Sequence, residues 1–272
     1  MVFTSHIFVF YFLPLFLVVY FNLPRPWRNL WITLASYVFY AWWQPWFVCL
    51  MMFTTVMDFM WGRIITRPAA TARQRKVAVA ACVVTNLSFL GFFKYYMFAA
   101  ETLNELRGMV GAEPFRVLIV ALPIGISFYT FHSLTYIIDL YRGHATPAKS
   151  FTDFSAFVAL FPDLVAGPII RYKTLAQQLA DRDCTVSRFA SGVSIFVVGF
   201  AKKILLANPM GGVADAVFNA ANPFPLEAWV GVIAYAFQIY FDFCGYSDMA
   251  VGLGRMLGFE FLKEKIGWRD EV

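Results

Sequence analysis

The sequence predicts an all-α fold: a polytopic bundle of transmembrane helices, some of them broken or re-entrant. Three observations carry that prediction. Apolar residues make up 60% of the 272 and charged residues only 14%, with a mean hydropathy of +0.63. A soluble domain carries roughly 25% charged residues, so this chain has too few to build a water-facing shell and lipid must cover much of it. Apolar runs recur near the ~20 residues that a helix needs to cross a bilayer. Basic residues also collect in alternate loops between those runs, as orientation in a membrane demands.

The runs fall at Ile7–Asn22, Leu30–Trp43, Trp46–Trp61, Val77–Ala100, Phe115–Leu140, Phe189–Leu206 and Ala228–Phe243. No Lys or Arg precedes the first run and no small-x-small cleavage site follows it, so it reads as a retained span rather than a removed signal. Phe154–Ile170 is shorter and interrupted by Pro162, Gly167 and Pro168. Irregular backbone at membrane depth is tolerated only where protein or a wet cavity covers it, so this segment reads as re-entrant or broken. Gly245 is expected to break the last run, with a further short helix after it. About seven to nine helical segments result.

Arg25 and Arg28 follow the first run, Arg63, Arg67, Arg73, Arg75 and Lys76 the third, and Arg142 and Lys149 the fifth. The intervening loops are poorer in basic residues. The bias predicts an outside N-terminus and basic loops in the cytoplasm. The net charge of +5 is scattered between apolar runs and does not form a nucleic-acid-binding patch. Cys49, Cys82, Cys184 and Cys244 are too far apart for a CxxC or zinc knuckle. No P-loop, GxGxxG, HExxH or GxSxG occurs, so neither a nucleotide nor a metal site is expected from motif spacing.

Ionisable groups inside a bilayer are costly and mark cavities or bundle interiors. Gln238, Asp242 and Tyr246 repeat every four residues and share one helical face. That stripe either lines a substrate path or holds helices together. Asp248 lies off it and is free to answer Arg255 or a basic group on another helix. Tyr129, His132, Tyr136 and Asp139 form a second polar face; His132 is a packing residue or a general base. Lys202 and Lys203 either snorkel to the interface or attract an anionic donor. Asp163 and Arg171 are placed to flank the mouth of a cavity, and Asp58 to pair with Arg63 near the interface.

These clusters lie in longer stretches with a shared resemblance. The stretches are the opening Met-Val-Phe-Thr-Ser-His, Leu122 through Phe131, Tyr136 through Arg142, Phe161 through Tyr172, Gly199 through Lys203, and Gln238 through Gly258. In that order they resemble the membrane-bound O-acyltransferase family, and most of all its bacterial branch containing the membrane subunit of alginate O-acetylation. The resemblance covers residues 1–261, as the N-terminal part of such a membrane domain; residues 262–272 form a charged tail that does not match.

The resemblance implies a helical scaffold in the bacterial inner membrane with a tunnel or funnel. It implies transfer of an acetyl group from a cytoplasmic thioester donor, acetyl-CoA or an acyl carrier, to an exported polysaccharide such as alginate. Periplasmic or membrane acetylation proteins are the implied partners besides lipid; no nucleic acid and no bound cofactor or metal are expected. The family's catalytic histidine stands in a Trp-His-Gly context, after an Arg-Trp-His-x-Ser-Leu motif. Neither motif occurs here, so His6, His132 and His144 inherit no catalytic role. A truncated, frameshifted or split gene product is therefore expected, inactive as a transferase by itself. Three alternatives stand beside this reading: D-alanyl transfer to teichoic acid, a non-catalytic remnant that binds a membrane partner, and a transporter using the Gln238–Asp242–Tyr246 stripe. A transporter would favour inverted repeats, and none is visible.

Overall fold

A computed structural model describes residues 2–261 apart from 166 and 169. The non-matching tail at 262–272 lies outside the described residues. Among the described residues the regular structure is helical throughout. A π-helical stretch, Phe8–Phe12, runs into α1 (Leu13–Asn22), followed by α2 (Arg25–Ala41), α3 (Trp46–Ile65), α4 (Ala72–Met109) and α5 (Ile126–Tyr141). Two short helices, α6 (Phe151–Val158) and α7 (Tyr172–Ala180), precede a long antiparallel hairpin. Its first arm is α8 (Val186–Ala201), a π-helical segment (Lys202–Ala207) and α9 (Asn208–Phe218); its second is α10 (Pro225–Met256). Among the described residues, four rods are long and apolar enough to cross a bilayer: Trp46–Ile65, Ala72–Met109, Val186–Phe218 and Pro225–Met256. The protein is a polytopic helical membrane protein.

Local chemistry sets the helix starts. Thr71 and Gln74 cap α4 reciprocally, each accepting from the other's backbone N–H at 3.2 and 2.9 Å. Ser150 and Thr185 accept from the backbone N–H groups of Asp153 and Arg188 to open α6 and α8. Pro225 opens α10, where its missing N–H costs nothing, and Glu227 accepts from the Phe224 N–H at 2.9 Å.

Two sequence expectations need correction. The run Phe115–Leu140 is not one span; helix begins only at Ile126, and residues 112–123 have no regular structure. Pro114 and Pro123 disfavour helix at and before their positions. The side chain of Asn104 also pairs with both the N–H and the C=O of Phe115, at 3.0 and 2.8 Å, tying this segment to the end of α4. The second correction concerns Gly245, which does not break α10: that helix runs without interruption to Met256. Gly245 serves close packing instead. A Cβ on Gly199 would lie 2.5 Å from the Gly245 carbonyl oxygen, and one on Gly252 would lie 2.6 Å from the Phe196 nitrogen. Such small residues let two membrane helices approach backbone to backbone.

The segment expected to be irregular is irregular, and protein covers it. After α6 the chain turns through residues 159–165 with Leu160, Phe161, Asp163 and Leu164 all buried. Phe161 plugs the gap between α1 and α2, its ring centroid 5.1 Å from that of Phe16 and 5.5 Å from those of Phe12 and Phe39. Gly125 holds a left-handed φ of +74° at the start of α5. A Cβ there would run into the Leu164 carbonyl oxygen, so only glycine admits the turn.

Candidate functional site

Among the described residues, polar side chains gather in the interior, along the hairpin seam and around an open cleft. The first constellation joins α5 to the buried turn. Tyr129, His132, Tyr136 and Asp139 occupy one face of α5 and all are buried. His132 Nε2 lies 3.0 Å from Asp163 Oδ2, with both side chains 1% exposed. The contact is within ion-pair range but is off-axis for a hydrogen bond, and His132 Nδ1 and Asp163 Oδ1 also lack partners among the described residues. The ring of Phe157 sits 5.2 Å from that of His132. Asp163 therefore does not flank a cavity mouth with Arg171: it is interior, while Arg171 is exposed just before α7. Proline at 162 and the tight fit of Asp163 against Gly167 turn the carboxylate inward.

Asp58 corrects another expectation. It does not pair with Arg63. It is 1% exposed on α3 and accepts hydrogen bonds from the Cys82 thiol at 3.1 Å and the Asn86 amide at 2.7 Å, both on α4. Arg63 lies five residues on, nearly a turn and a half along the helix, and packs over the Phe59 ring.

The second constellation lies on the seam between the hairpin arms. Lys202 Nζ donates to Asp248 Oδ2 at 2.6 Å and to Cys244 Sγ at 3.4 Å. Lys203 pairs with Asp242. Asp248 thus answers a basic group on another helix and not Arg255, and the lysines bind α10 rather than reaching for the interface. The stripe Gln238–Asp242–Tyr246 is divided among three neighbours. Gln238 fills the space a Cβ on Gly211 would take, Asp242 meets Lys203, and Tyr246 stacks on Phe3 at 4.5 Å.

The third constellation was not singled out from the sequence. An open cleft of about 610 Å³ lies beside α7, lined by residues that include His144, Lys173, Gln178, Arg182, Arg188 and Glu260. Arg182 organises it. Its Nε donates to the Tyr20 hydroxyl and its Nη1 to Asn29 Oδ1, both at 2.8 Å, and its guanidinium lies 4.5 Å over the Phe259 ring. Asn29 in turn donates to Asp153 at 2.7 Å. A neighbouring cavity of about 250 Å³ is lined by Lys149, Asp153 and Tyr172 among others. Burial pushes the Tyr172 phenol up, with Tyr136 and Asp153 adding to the effect, so it stays a neutral hydroxyl. The only sequence signal for this region was the charged cluster at residues 181–183 between apolar runs. Among the described residues no three His, Cys, Asp or Glu side chains converge as a metal site requires.

Comparison with known proteins adds the context for this geometry. No protein-family model matches the chain. A probable alginate O-acetylase, AlgI, of Pseudomonas aeruginosa is 46% identical over 97% of this chain and 51% of its own length. A peptidoglycan O-acetyltransferase of Helicobacter pylori is 31% identical over 93% of this chain and 54% of its own. A teichoic acid D-alanyltransferase of Streptococcus thermophilus is 29% identical over 50% of this chain and 34% of its own. The chain thus spans about half the length of the curated relatives that it matches along nearly all of its own.

Proposed function

We propose, from the premise that this chain is a relative of the membrane-bound O-acyltransferases of the alginate branch, that it supplies part of the scaffold for O-acetylation of an exported polysaccharide such as alginate. The observation that carries the reading is 46% identity to a probable alginate O-acetylase over 97% of the chain. The location is the bacterial inner membrane, crossed several times. The donor is a cytoplasmic thioester, acetyl-CoA or an acyl carrier, and the partners are further acetylation proteins in the membrane or periplasm. In the reaction a hydroxyl oxygen of the sugar bonds to the acetyl carbonyl carbon, the carbon–sulfur bond breaks, and the hydroxyl proton passes through a base to the departing thiolate.

The chain's own residues divide into positioning and access. On the orientation set by the basic loops, the cleft beside α7 opens to the cytoplasm, where the donor resides. Lys173, Arg182 and Arg188 line it. The base role falls to none of the three histidines. His6 and His144 are exposed and stand apart from the interior clusters, and His132 is sealed against Asp163.

D-alanyl transfer is the weaker reading, because the teichoic acid relative matches only half of the chain. Deletion of the coding region in its host separates the two. Acetyl ester content of the exported polysaccharide is expected to fall to background and to return when the gene is restored. Unchanged acetyl esters with loss of D-alanyl esters would overturn the proposal.

A further inference from the structure

The connection between α3 and α4 concentrates charge of one sign. Arg63 lies in the last turn of α3, Arg67 follows it, and Arg73, Arg75 and Lys76 fall in the first turns of α4. No Asp or Glu occurs between Asp58 and Glu101. Cations near other helix ends meet carboxylates of the chain: Arg25 pairs with Asp181 at 3.2 Å and Arg188 with Glu260 at 3.0 Å. Among the described residues, none of the basic side chains of this connection stands in an ion pair. Arg63 packs over the Phe59 ring instead.

The fold draws these charges together rather than spreading them. Arg75 reaches back across the loop, its Nη2 donating to the Arg67 carbonyl at 3.5 Å, and its Nε is buried without a partner among the described residues. Arg73, Arg75 and Lys76 also stand at the positive end of the α4 macrodipole, where cations are unfavourable and the first turn holds no acid. The reciprocal cap of Thr71 and Gln74 supplies hydrogen bonds there but no negative charge. Such a cluster calls for anions, and its position supplies them. Both α3 and α4 are long and apolar enough to cross a bilayer, so the loop that joins them lies level with the lipid headgroups. Its basic excess places it on the cytoplasmic side, where the leaflet carries acidic lipid.

We propose that the α3–α4 connection binds the headgroups of acidic phospholipids, with Arg67, Arg73, Arg75 and Lys76 donating to their phosphate oxygens. Clusters of roughly four to eight basic residues beside a transmembrane helix attract such lipids, and the guanidinium fork matches phosphate. The inference rests on the membrane placement of α3 and α4 and not on the acetyl-transfer reading, so its test uses no activity measurement.

The full chain in detergent is incubated with an equimolar mixture of phosphatidylglycerol and phosphatidylcholine, and the retained lipids are counted by native mass spectrometry. Its thermal midpoint is measured with each lipid alone. The parent is expected to retain phosphatidylglycerol in preference and to be stabilised by it. The variant Arg67→Gln/Arg73→Gln/Lys76→Gln leaves Arg75 and its bond to the residue-67 carbonyl in place. Each basic residue near an acidic surface is worth roughly fivefold in affinity, so the variant is expected to bind phosphatidylglycerol more than about tenfold more weakly. Without lipid its midpoint should equal or exceed the parent's, because two cations have left the positive end of α4; that readout separates lost binding from lost folding. Equal retention of the two lipids by the parent would overturn the proposal whatever the variant does. An undiminished preference in the variant would overturn it too. Equal stabilisation of the parent by inorganic phosphate would mark a site for any anion rather than for lipid, and would count against the proposal in the same way.

Discussion

Asp163 occupies the interior because its neighbours leave it no other place. Gly167 leaves room for one carboxylate oxygen, His132 faces the other at 3.0 Å, and Phe157 closes over the imidazole. A buried pair of this kind adds little net stability when intact, but removing one partner strands the other and typically costs about 3–5 kcal/mol. Asp163→Ala and His132→Ala are therefore each expected to lower the thermal midpoint of the detergent-solubilised protein by several degrees. The double variant should lose much less than the sum of the two. Additive losses in that cycle would show that the pair does not act as a unit. Gly125→Ala belongs to the same scale. The added methyl meets the Leu164 carbonyl and demands a left-handed φ, so a loss of at least about 1–2 kcal/mol is expected in the same assay. A variant as stable as the parent would mean that the turn relaxes freely.

At the level of elements, the hairpin arms approach closely because glycines face one another at two levels, Gly199 with Gly245 and Gly192 with Gly252. Gly245→Leu is expected to push the arms apart and to separate Lys202 from Asp248. Cysteine pairs placed across the seam should then cross-link at a small fraction of the rate seen without the substitution; an unchanged rate would remove the glycines from the account. Much of this was legible in the sequence. Apolar length announced the long rods, and the prolines and Gly167 announced the irregular segment after α6. Two things were not. Gly245 looked like a breaker because sequence gives its conformational freedom and not the neighbour that exploits its missing side chain. Phe115–Gly125 looked like helix because hydropathy counts apolar residues and is blind to Asn104, eleven residues earlier, which holds Phe115 in an extended segment. The four-residue spacing of Gln238, Asp242 and Tyr246 places them along α10, but their neighbours are Gly211, Lys203 and Phe3, and only tertiary structure assigns those contacts.

For the whole molecule, the structure adds an argument to the loop charges. Arg25 after α1, His144 after α5, Asp181 and Arg182 after α7, Arg188 at the start of α8 and Glu260 after α10 gather around one cleft region. Arg25 pairs with Asp181 at 3.2 Å and Arg188 with Glu260 at 3.0 Å. Each follows or precedes an apolar run, so they mark one common surface of the bilayer. The turn at residues 219–224 lies at the far end of both hairpin arms and belongs to the other surface. The basic loop carrying Arg67, Arg73 and Arg75 should share the side of the cleft, because cytoplasmic loops are enriched in Lys and Arg. Single cysteines at Arg73 and Asn222, both exposed, test this with an impermeant maleimide applied to intact cells and to inverted vesicles. Asn222→Cys is expected to label in cells and Arg73→Cys only in inverted vesicles. Labelling of both from one side would mean that the hairpin does not traverse the membrane. The reverse pattern would turn the cleft toward the outside, away from any cytoplasmic thioester, and the proposed direction of acetyl transfer would have to be abandoned.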